Sequence, residues 1–438
     1  MFLDYKKIFF DKLIIFFIIC VFFIGIFNLI SVIVDNNIIK LWKEFYILFL
    51  LLIIILIRNK QIYIKLKYNN IILILILMYY FVIEIIYNLI IDIPITFIAY
   101  QIKNDFFPLI FGIIIYIYIY NLGNNDYINF LRKIAKLVII LGAINAVAVI
   151  LEHIFVENFL SLLGINFGNW GSSSGVKIIT TGDTVRPIGF QTSFDQVGSL
   201  LLFCYILLKE NKLNIIKNKC IDYLLSVIFV IGIYLSTYAT AMLGLIFYIL
   251  IKYSEKLLIK LKFNMMLRCT IIWFFLICVF FALFMSTHEL TIYEFIAKIN
   301  PMKAYNSIFT RISQHWEILN NMDSIISLFL GVGFGVNGAY GAYGIESVFA
   351  KKTQLATDST YIYLISNYGI IGMIIFVMIF SILILYFMNK NKDVFGLKYF
   401  CIYVLVIMFF YNNIIASFTN SLILILFIIL NFRLVKRN

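Results

Sequence analysis

The sequence predicts an all-α, polytopic membrane protein of about twelve transmembrane helices, and three observations carry that expectation. First, 63% of the 438 residues are hydrophobic and only 13% are charged, with a mean hydropathy of +1.01. Soluble domains are about half apolar and a quarter charged. Second, apolar runs of about 20 residues recur from end to end, the length a helix needs to cross the hydrocarbon core. The weaker alternating segments of about 10 residues that build membrane β-barrels are absent. Third, basic residues cluster in short stretches between the runs. Backbone polar groups in lipid must be satisfied within their own segment, so each run is expected as a helix.

Lys6, Lys7 and Lys12 precede the first run, about Leu13–Val34. That layout imitates a signal peptide, but the run is too long and lacks a small-residue cleavage site, so it is read as the first span. Further spans are expected at 41–57, 71–91, 105–121 and 134–154. A long segment containing NWGSSSG and RPIGF follows, and the sixth span runs at 190–208. Residues 221–253, about 33 in number, are short for two full crossings. Both flanks, 209–219 and 252–268, are basic, so a single span there would break parity. A hairpin of short helices, 222–236 and 238–252, turning at Ser236–Thr240, is expected instead. Spans at 268–286, 362–388, 396–412 and 414–431 complete the set.

With the N-terminus in the cytoplasm, the inner segments hold 25 of the 35 basic residues. The outer side holds 10, seven of them in the two long loops where the charge rule is weak. The asymmetry predicts both termini inside and one integral membrane domain over 1–438, with extracytoplasmic loops at 155–189 and 287–361. It also accounts for the net charge of +13 without nucleic acid. The six cysteines fall in spans or beside basic loops at no metal-like spacing, so no disulfide framework is expected. The three histidines, His153, His288 and His315, form no metal-ligand pattern.

Loops this long are uncommon in compact proteins unless functional. In the second, Phe309, Ile312, Trp316 and Leu319 recur at helical spacing, and Arg311 and His315, four apart, share an adjacent face. Such a helix either rests on headgroups or uses the planar fork of Arg311 to hold a phosphate or pyrophosphate. Gly333-Phe-Gly-Val-Asn-Gly338 matches G-x-G-x-x-G, but it follows no strand, opens no βαβ unit and lies outside the cytoplasm. Its glycines are read as tight turns and close backbone packing. Thr357-Asp-Ser-Thr-Tyr361 stands at the mouth of a span. There Asp358 or Ser359 suits a helix N-cap, and the Asp358 carboxylate suits a general base for a sugar hydroxyl. The first loop ends in Arg186-Pro-Ile-Gly-Phe190, with Ser193, Asp195 and Gln196 beyond it. Arg186 is a second phosphate ligand or a headgroup anchor. Glu84 is the clearest ionisable residue within a span, a functional group or a packing partner. Glu152 and His153 end the fifth span on its outer side.

Three patches, RPIGFQTSFDQVG, Arg311…Trp316…GVGFG and DSTYIYLISNYGIIG, occur in this order on one side of the membrane. In these patches and in its layout the chain resembles the O-antigen polymerase and ligase superfamily of bacterial envelope glycan assembly, and within it the Wzy-type repeat-unit polymerases. The topology matches along nearly the whole chain, and the motifs cover about 60 residues. The resemblance implies a metal-independent, inverting glycosyl transfer at the outer side of the bacterial inner membrane, from undecaprenyl-diphosphate-linked donors and without a cofactor. It puts Arg186 and Arg311 on the donor diphosphate and makes Asp358 a candidate base, with His315 behind it. Trp316, Tyr361 and Asp195 fall at substrate-binding positions, and a chain-length regulator protein becomes a candidate partner. Ligases of the superfamily often carry a His-Asn pair where this chain has Asp358-Ser359, which looks more like a polymerase. A family patch that often holds an Arg reads STYATAMLG here, with Ala239. The rival expectations are a ligase of the same superfamily, a flippase or secondary transporter, and a scaffold.

Overall fold

The computed structural model describes residues 2–34, 36–57, 81–158, 180–181, 184–210, 212–213, 215–260, 322, 324–334, 359–388, 393–408, 414–415 and 417–435. These residues are helical apart from connections and one antiparallel pair, β1 (Thr180–Thr181) with β2 (Thr184–Val185). The helices are α1 (Phe2–Phe22), α2 (Ile24–Ile33), α3 (Trp42–Ile57), α4 (Phe81–Ile90), α5 (Ile95–Tyr120) and α6 (Asn124–Ile154). After the β pair come α7 (Phe194–Glu210), α8 (Lys219–Leu235), α9 (Ala239–Lys260) and the short α10 (Ile325–Leu330). The chain closes with α11 (Thr360–Met388), α12 (Leu397–Ile402, running on as a π turn at Tyr403–Met408) and α13 (Phe418–Val435).

Among the described residues three helices are long and apolar enough to cross a membrane: Gln101–Tyr120 within α5, Asn124–Ile154 and Thr360–Met388. The bent pair α1 and α2 makes a fourth if it is one span. The expected span at 268–286, the first part of 71–91, and most of both long loops lie outside the described residues. Ile113, Ile140, Leu151, Ile382 and Leu385 are exposed. Large apolar side chains in such numbers suit a lipid surface better than water.

Helix α5 starts at Ile95 rather than 105 and α9 runs on to Lys260 rather than 252, and two further elements differ from the sequence expectation. The run at 13–34 is not one straight helix. It bends by 68° between Ile8–Phe22 and Ile24–Ser31. Nothing in its hydropathy marks the bend, because the released backbone groups find partners far along the chain. Gln191 Nε2 donates to the Phe22 carbonyl at 2.8 Å and Asn145 Nδ2 at 3.3 Å, while Gly25 N donates to the Phe190 carbonyl at 2.9 Å. Inserted partners of this kind are a recognised cause of helix kinks. Trp42 packs on both halves, 5.9 Å from the Phe17 ring and 4.5 Å from the Phe27 ring. The second difference is α6, which starts ten residues before the expected span at 134. Its first turns are amphipathic: Tyr127, Phe130, Leu131 and Ile134 are buried while Arg132, Lys133 and Lys136 are exposed. Asp126 in the first turn also favours the positive helix end.

Helix pairs meet through small residues, the usual solution where lipid supplies no hydrophobic drive to association. A Cβ on Gly142 of α6 would lie 2.5 Å from Cys204 Sγ of α7. One on Gly232 of α8 would lie 3.0 Å from Ala146 Cβ, and one on Gly112 of α5 would lie 2.5 Å from Ile425 of α13. At one end of α7, α8, α9 and α12 the charges pair: Lys209 with Asp222 at 2.7 Å, Lys252 with Glu210 at 2.6 Å, and Lys398 with Glu255 at 2.6 Å. Asp393 accepts the backbone N–H groups of Leu397 at 2.9 Å and Lys398 at 3.2 Å, and its burial raises its pKa above the usual carboxylate value against the pull of those bonds.

Gly142→Val is expected to force α6 and α7 apart and lower stability by about 1–3 kcal/mol, the usual cost of overpacking. Ile113→Leu, on an exposed apolar face, is expected to change it by under about 0.5 kcal/mol. Thermal unfolding of both purified variants in one detergent checks the contrast.

Candidate functional site

The RPIGF segment is a loop whose backbone is fixed from three sides. Ile188 N and Gly189 N both donate to Glu152 Oε2, at 2.8 and 2.9 Å. Phe190 N donates to Asn145 Oδ1 at 3.1 Å, and the Phe190 carbonyl takes the Gly25 N–H. Gly189 has φ +57°, and a Cβ there would lie 3.2 Å from the Asn145 carbonyl, so a glycine is required. Arg186 leads into this loop directly from β2, with its guanidinium 4.7 Å from the centre of the Phe194 ring. Glu152, at the end of α6, thus holds the loop that carries Arg186.

Three helix N-termini gather at this end of the bundle. Asn420 Nδ2, in the first turn of α13, donates to the Gln196 carbonyl in the first turn of α7 at 3.3 Å. Thr360, which opens α11, donates its hydroxyl to the Met408 carbonyl at 3.2 Å and accepts from Ile414 N at 3.4 Å. Ile414 in turn accepts from Ser417 N at 3.1 Å, immediately before α13. The cations Lys43 and Lys103 lie here too. Lys43 Nζ stands 4.4 Å over the Phe418 ring, and Glu44 lies 4.0 Å from Lys43 and 3.6 Å from Lys103. Helix N-termini carry free N–H groups and partial positive charge, so this arrangement favours anions.

A second polar cluster lies where α11 is interrupted. Gly369 sits inside α11 at φ 64° and ψ −173°, and a Cβ there would be 2.0 Å from the Phe329 carbonyl. The loop after α10 fills the break: Val332 N donates to the Ser366 carbonyl at 2.7 Å, and Tyr87 Oη donates to the Gly331 carbonyl at 3.2 Å. Asn88 Oδ1 accepts from Phe334 N, and the Phe334 ring lies 5.1 Å from that of Tyr368. On the other side Asp105 accepts from Tyr363 Oη at 2.9 Å, from Gln101 Nε2 at 2.6 Å and from Tyr368 Oη. With those donors engaged, Asp105 positions α11 against α5.

The structure thus joins GVGF to the ISNYG part of the third patch. Gly331 and Gly333 have positive φ; a Cβ on Gly331 would lie 2.7 Å from the Ser366 carbonyl, and one on Gly333 would lie 2.7 Å from the Ile93 side chain. Asp195 lies in the first turn of α7 and Tyr361 in the first turn of α11. Arg311, His315, Trp316 and Asp358 lie outside the described residues, as does His288. Glu84 is fully buried and its backbone carbonyl accepts from Asn88 Nδ2 at 2.7 Å. Sequence reasoning missed Lys43, Glu44, Lys103, Gln101, Asp105 and Asn145. Opposite charges at the mouths of the second and fourth spans, and one Asn in the run LGAINAVAV, were the available signals. Among the described residues no group of three His, Cys, Asp or Glu is placed to hold a metal ion.

Comparison with protein-family models, curated proteins and solved structures finds no match to this chain.

Removing the Glu152 carboxylate leaves two N–H groups without their acceptor, at a cost of about 1–3 kcal/mol each when buried. Glu152→Ala is therefore expected to speed amide exchange at Ile188 and Gly189 by roughly tenfold or more, while exchange in α9 stays unchanged. Hydrogen-exchange mass spectrometry of the wild type and the variant reads both segments.

Proposed function

We propose that the protein is a Wzy-type polymerase of lipid-linked polysaccharide repeat units in the bacterial inner membrane, with about twelve spans, both termini inside and its active site on the outer side. It transfers the growing glycan from undecaprenyl diphosphate to the sugar of an incoming lipid-linked repeat unit. The observation that supports this best is Arg186, carried on a loop fixed by Glu152 and Asn145 at the end of the bundle where the N-termini of α7, α11 and α13 meet. The leaving diphosphate gathers charge as the glycosidic bond breaks. A guanidinium that is already oriented stabilises that charge without reorganising. Arg311 is the second diphosphate ligand in this proposal. Asp358, two residues before α11 begins at Thr360, takes the acceptor hydroxyl proton or positions the acceptor. A lipid-linked donor needs no nucleotide-binding domain.

A flippase or secondary transporter is the second reading, because such proteins use interrupted helices near their sites. Among the described residues two helices are interrupted, at Phe23 and within α11 at Gly369. Both are met by backbone from elsewhere in the chain, Phe190–Gln191 in one and Phe329–Leu330 in the other. That favours a fixed site over a moving one.

Arg186→Ala and Arg311→Ala are each expected to lower polymer formation by about 10²–10³-fold, the scale of losing one donor to a developing charge, with normal membrane insertion. Wild-type chain length in both would sink the diphosphate assignment. The glycan ladder of a deletion strain separates the classes. Single repeat units mark a polymerase, lipid-linked polymer that never reaches its acceptor marks a ligase, and cytoplasmic-side repeat units mark a flippase.

A further inference from the structure

We infer that the Phe418 end of α13 swings away from α7 about an anchored Val435 end, and that this movement opens the first turn of α7, where Arg186 rests, to lipid-linked substrate. The passage of substrate rests on the polymerase proposal; the movement itself does not. The two ends of α13 are held differently. Toward Val435, Tyr127 Oη donates to the Leu430 carbonyl, Arg433 Nη2 donates to the Leu122 carbonyl, and Asn431 Oδ1 accepts from Val394 N at 3.0 Å. The Phe427 ring packs on those of Phe203 and Phe395, at 5.3 and 5.0 Å. Toward Phe418, Asn420 Nδ2 donates to the Gln196 carbonyl of α7 at 3.3 Å, and Lys43 Nζ stands over the Phe418 ring at 4.4 Å.

Three side-chain atoms at the Phe418 end are buried and unmet. Ser417, Thr419 and Asn420 are 2%, 0% and 3% exposed. Among the described residues Ser417 Oγ, Thr419 Oγ1 and Asn420 Oδ1 have no hydrogen-bond partner, and no water-sized space adjoins them. A Ser just before a helix would ordinarily accept a first-turn N–H, and Ser417 Oγ does not. Each such atom raises the free energy of the closed arrangement, and meeting water recovers it. All three fall on one end of one helix, and local opening begins where a structure is least satisfied. Helix α13 contains neither Gly nor Pro, so it tilts as a rod. With Leu430 as the pivot, about 18 Å from Phe418, a tilt of about 10° shifts the Phe418 end by about 3 Å, the width of a water. That shift parts Asn420 from Gln196, two residues beyond Phe194, whose ring lies 4.7 Å from the Arg186 guanidinium. The Arg186 loop is pinned to α6 through Glu152 and Asn145, so it stays in place while α13 moves.

The test uses the full chain in phosphatidylcholine nanodiscs and a water-soluble maleimide, with the modified sites read by peptide mass spectrometry. In Ser417→Cys the new thiol is expected to react roughly tenfold or more faster than the buried native Cys204 and Cys401. Adding Thr419→Val removes one unmet hydroxyl from the closed arrangement and is expected to slow that reaction severalfold. Thr419→Val alone is expected to raise the midpoint of thermal unfolding by about 2 °C or more, because the group it deletes is buried without a partner. Thr419→Ser keeps the hydroxyl and is expected to give no rise. Labelling at position 417 as slow as at Cys204, or a midpoint lowered by Thr419→Val, overturns the movement, since the second result would mean that the hydroxyl is bonded. In cells Thr419→Val is expected to lower polymer formation severalfold. Wild-type polymer there, with labelling at position 417 slowed, removes the substrate passage and leaves the movement. Full-length polymer in Arg186→Ala cells, with labelling at position 417 still fast, counts against the polymerase proposal and also leaves the movement standing.

Discussion

A helix broken inside a bilayer releases backbone groups that no water will meet, and each left open costs several kcal/mol. The architecture of this chain follows from how it answers that cost. At Phe23 the freed carbonyl of Phe22 is met by Gln191 and Asn145, and the Gly25 amide by Phe190. At Gly369 the gap admits the backbone of Phe329 and Leu330, with Val332 bonded to Ser366. In both places the plug is a segment beside a site candidate. The first plug carries Arg186, and the second carries the glycine loop. A helix interruption and a loop position are therefore one feature, because each holds only while the other is in place.

Charge is sorted along the same bundle. At one end Lys209, Lys252 and Lys398 pair with Asp222, Glu210 and Glu255 at hydrogen-bonding distance. At the other, Lys43 and Lys103 share Glu44 at longer range, and Arg186 rests on an aromatic face. Closely paired ions have little left to offer a ligand. Lys43 and Lys103 meet Glu44 at 3.6–4.0 Å among helix N-termini, whose partial positive charge favours anions.

Much of the helical layout was legible in the sequence because hydropathy reports burial in lipid directly. The helices Trp42–Ile57, Thr360–Met388 and Phe418–Val435 begin and end near the expected bounds, and the chain turns between α8 and α9 at Ser236–Tyr238 inside the expected hairpin. The bend after Phe22 was not legible, since Phe23, Ile24 and Gly25 sit in an unbroken apolar run and their partners lie beyond residue 140. The start of α6 was missed for a related reason. Its first turns are amphipathic, and a span search looks for uniform apolarity. Among site residues, Arg186 was legible as an arginine before Pro and Gly at a span mouth. Lys43 and Lys103 read as ordinary interface charges until α13, more than 300 residues away in sequence, was seen beside them. Asp105 looked unremarkable because its meaning lies in Tyr363 and Tyr368, which belong to another patch.

The plugged breaks also bear on what kind of machine this is. Alternating access requires one group of helices to rock against another, and a discontinuous helix serves as its joint. Here motion at Phe23 would strip at least the Gly25–Phe190 and Gln191–Phe22 bonds, and the Asn145 contacts with them. Motion at Gly369 would part backbone segments in direct contact. At about 1–3 kcal/mol for each buried group left unpaired, opening either joint costs more than one bound substrate readily supplies. A transferase has the opposite need. Its cations must already stand where charge will develop, since reorganising them during the reaction would forfeit the stabilisation they give. A loop pinned at Ile188, Gly189 and Phe190 by two side chains of one long helix meets that need.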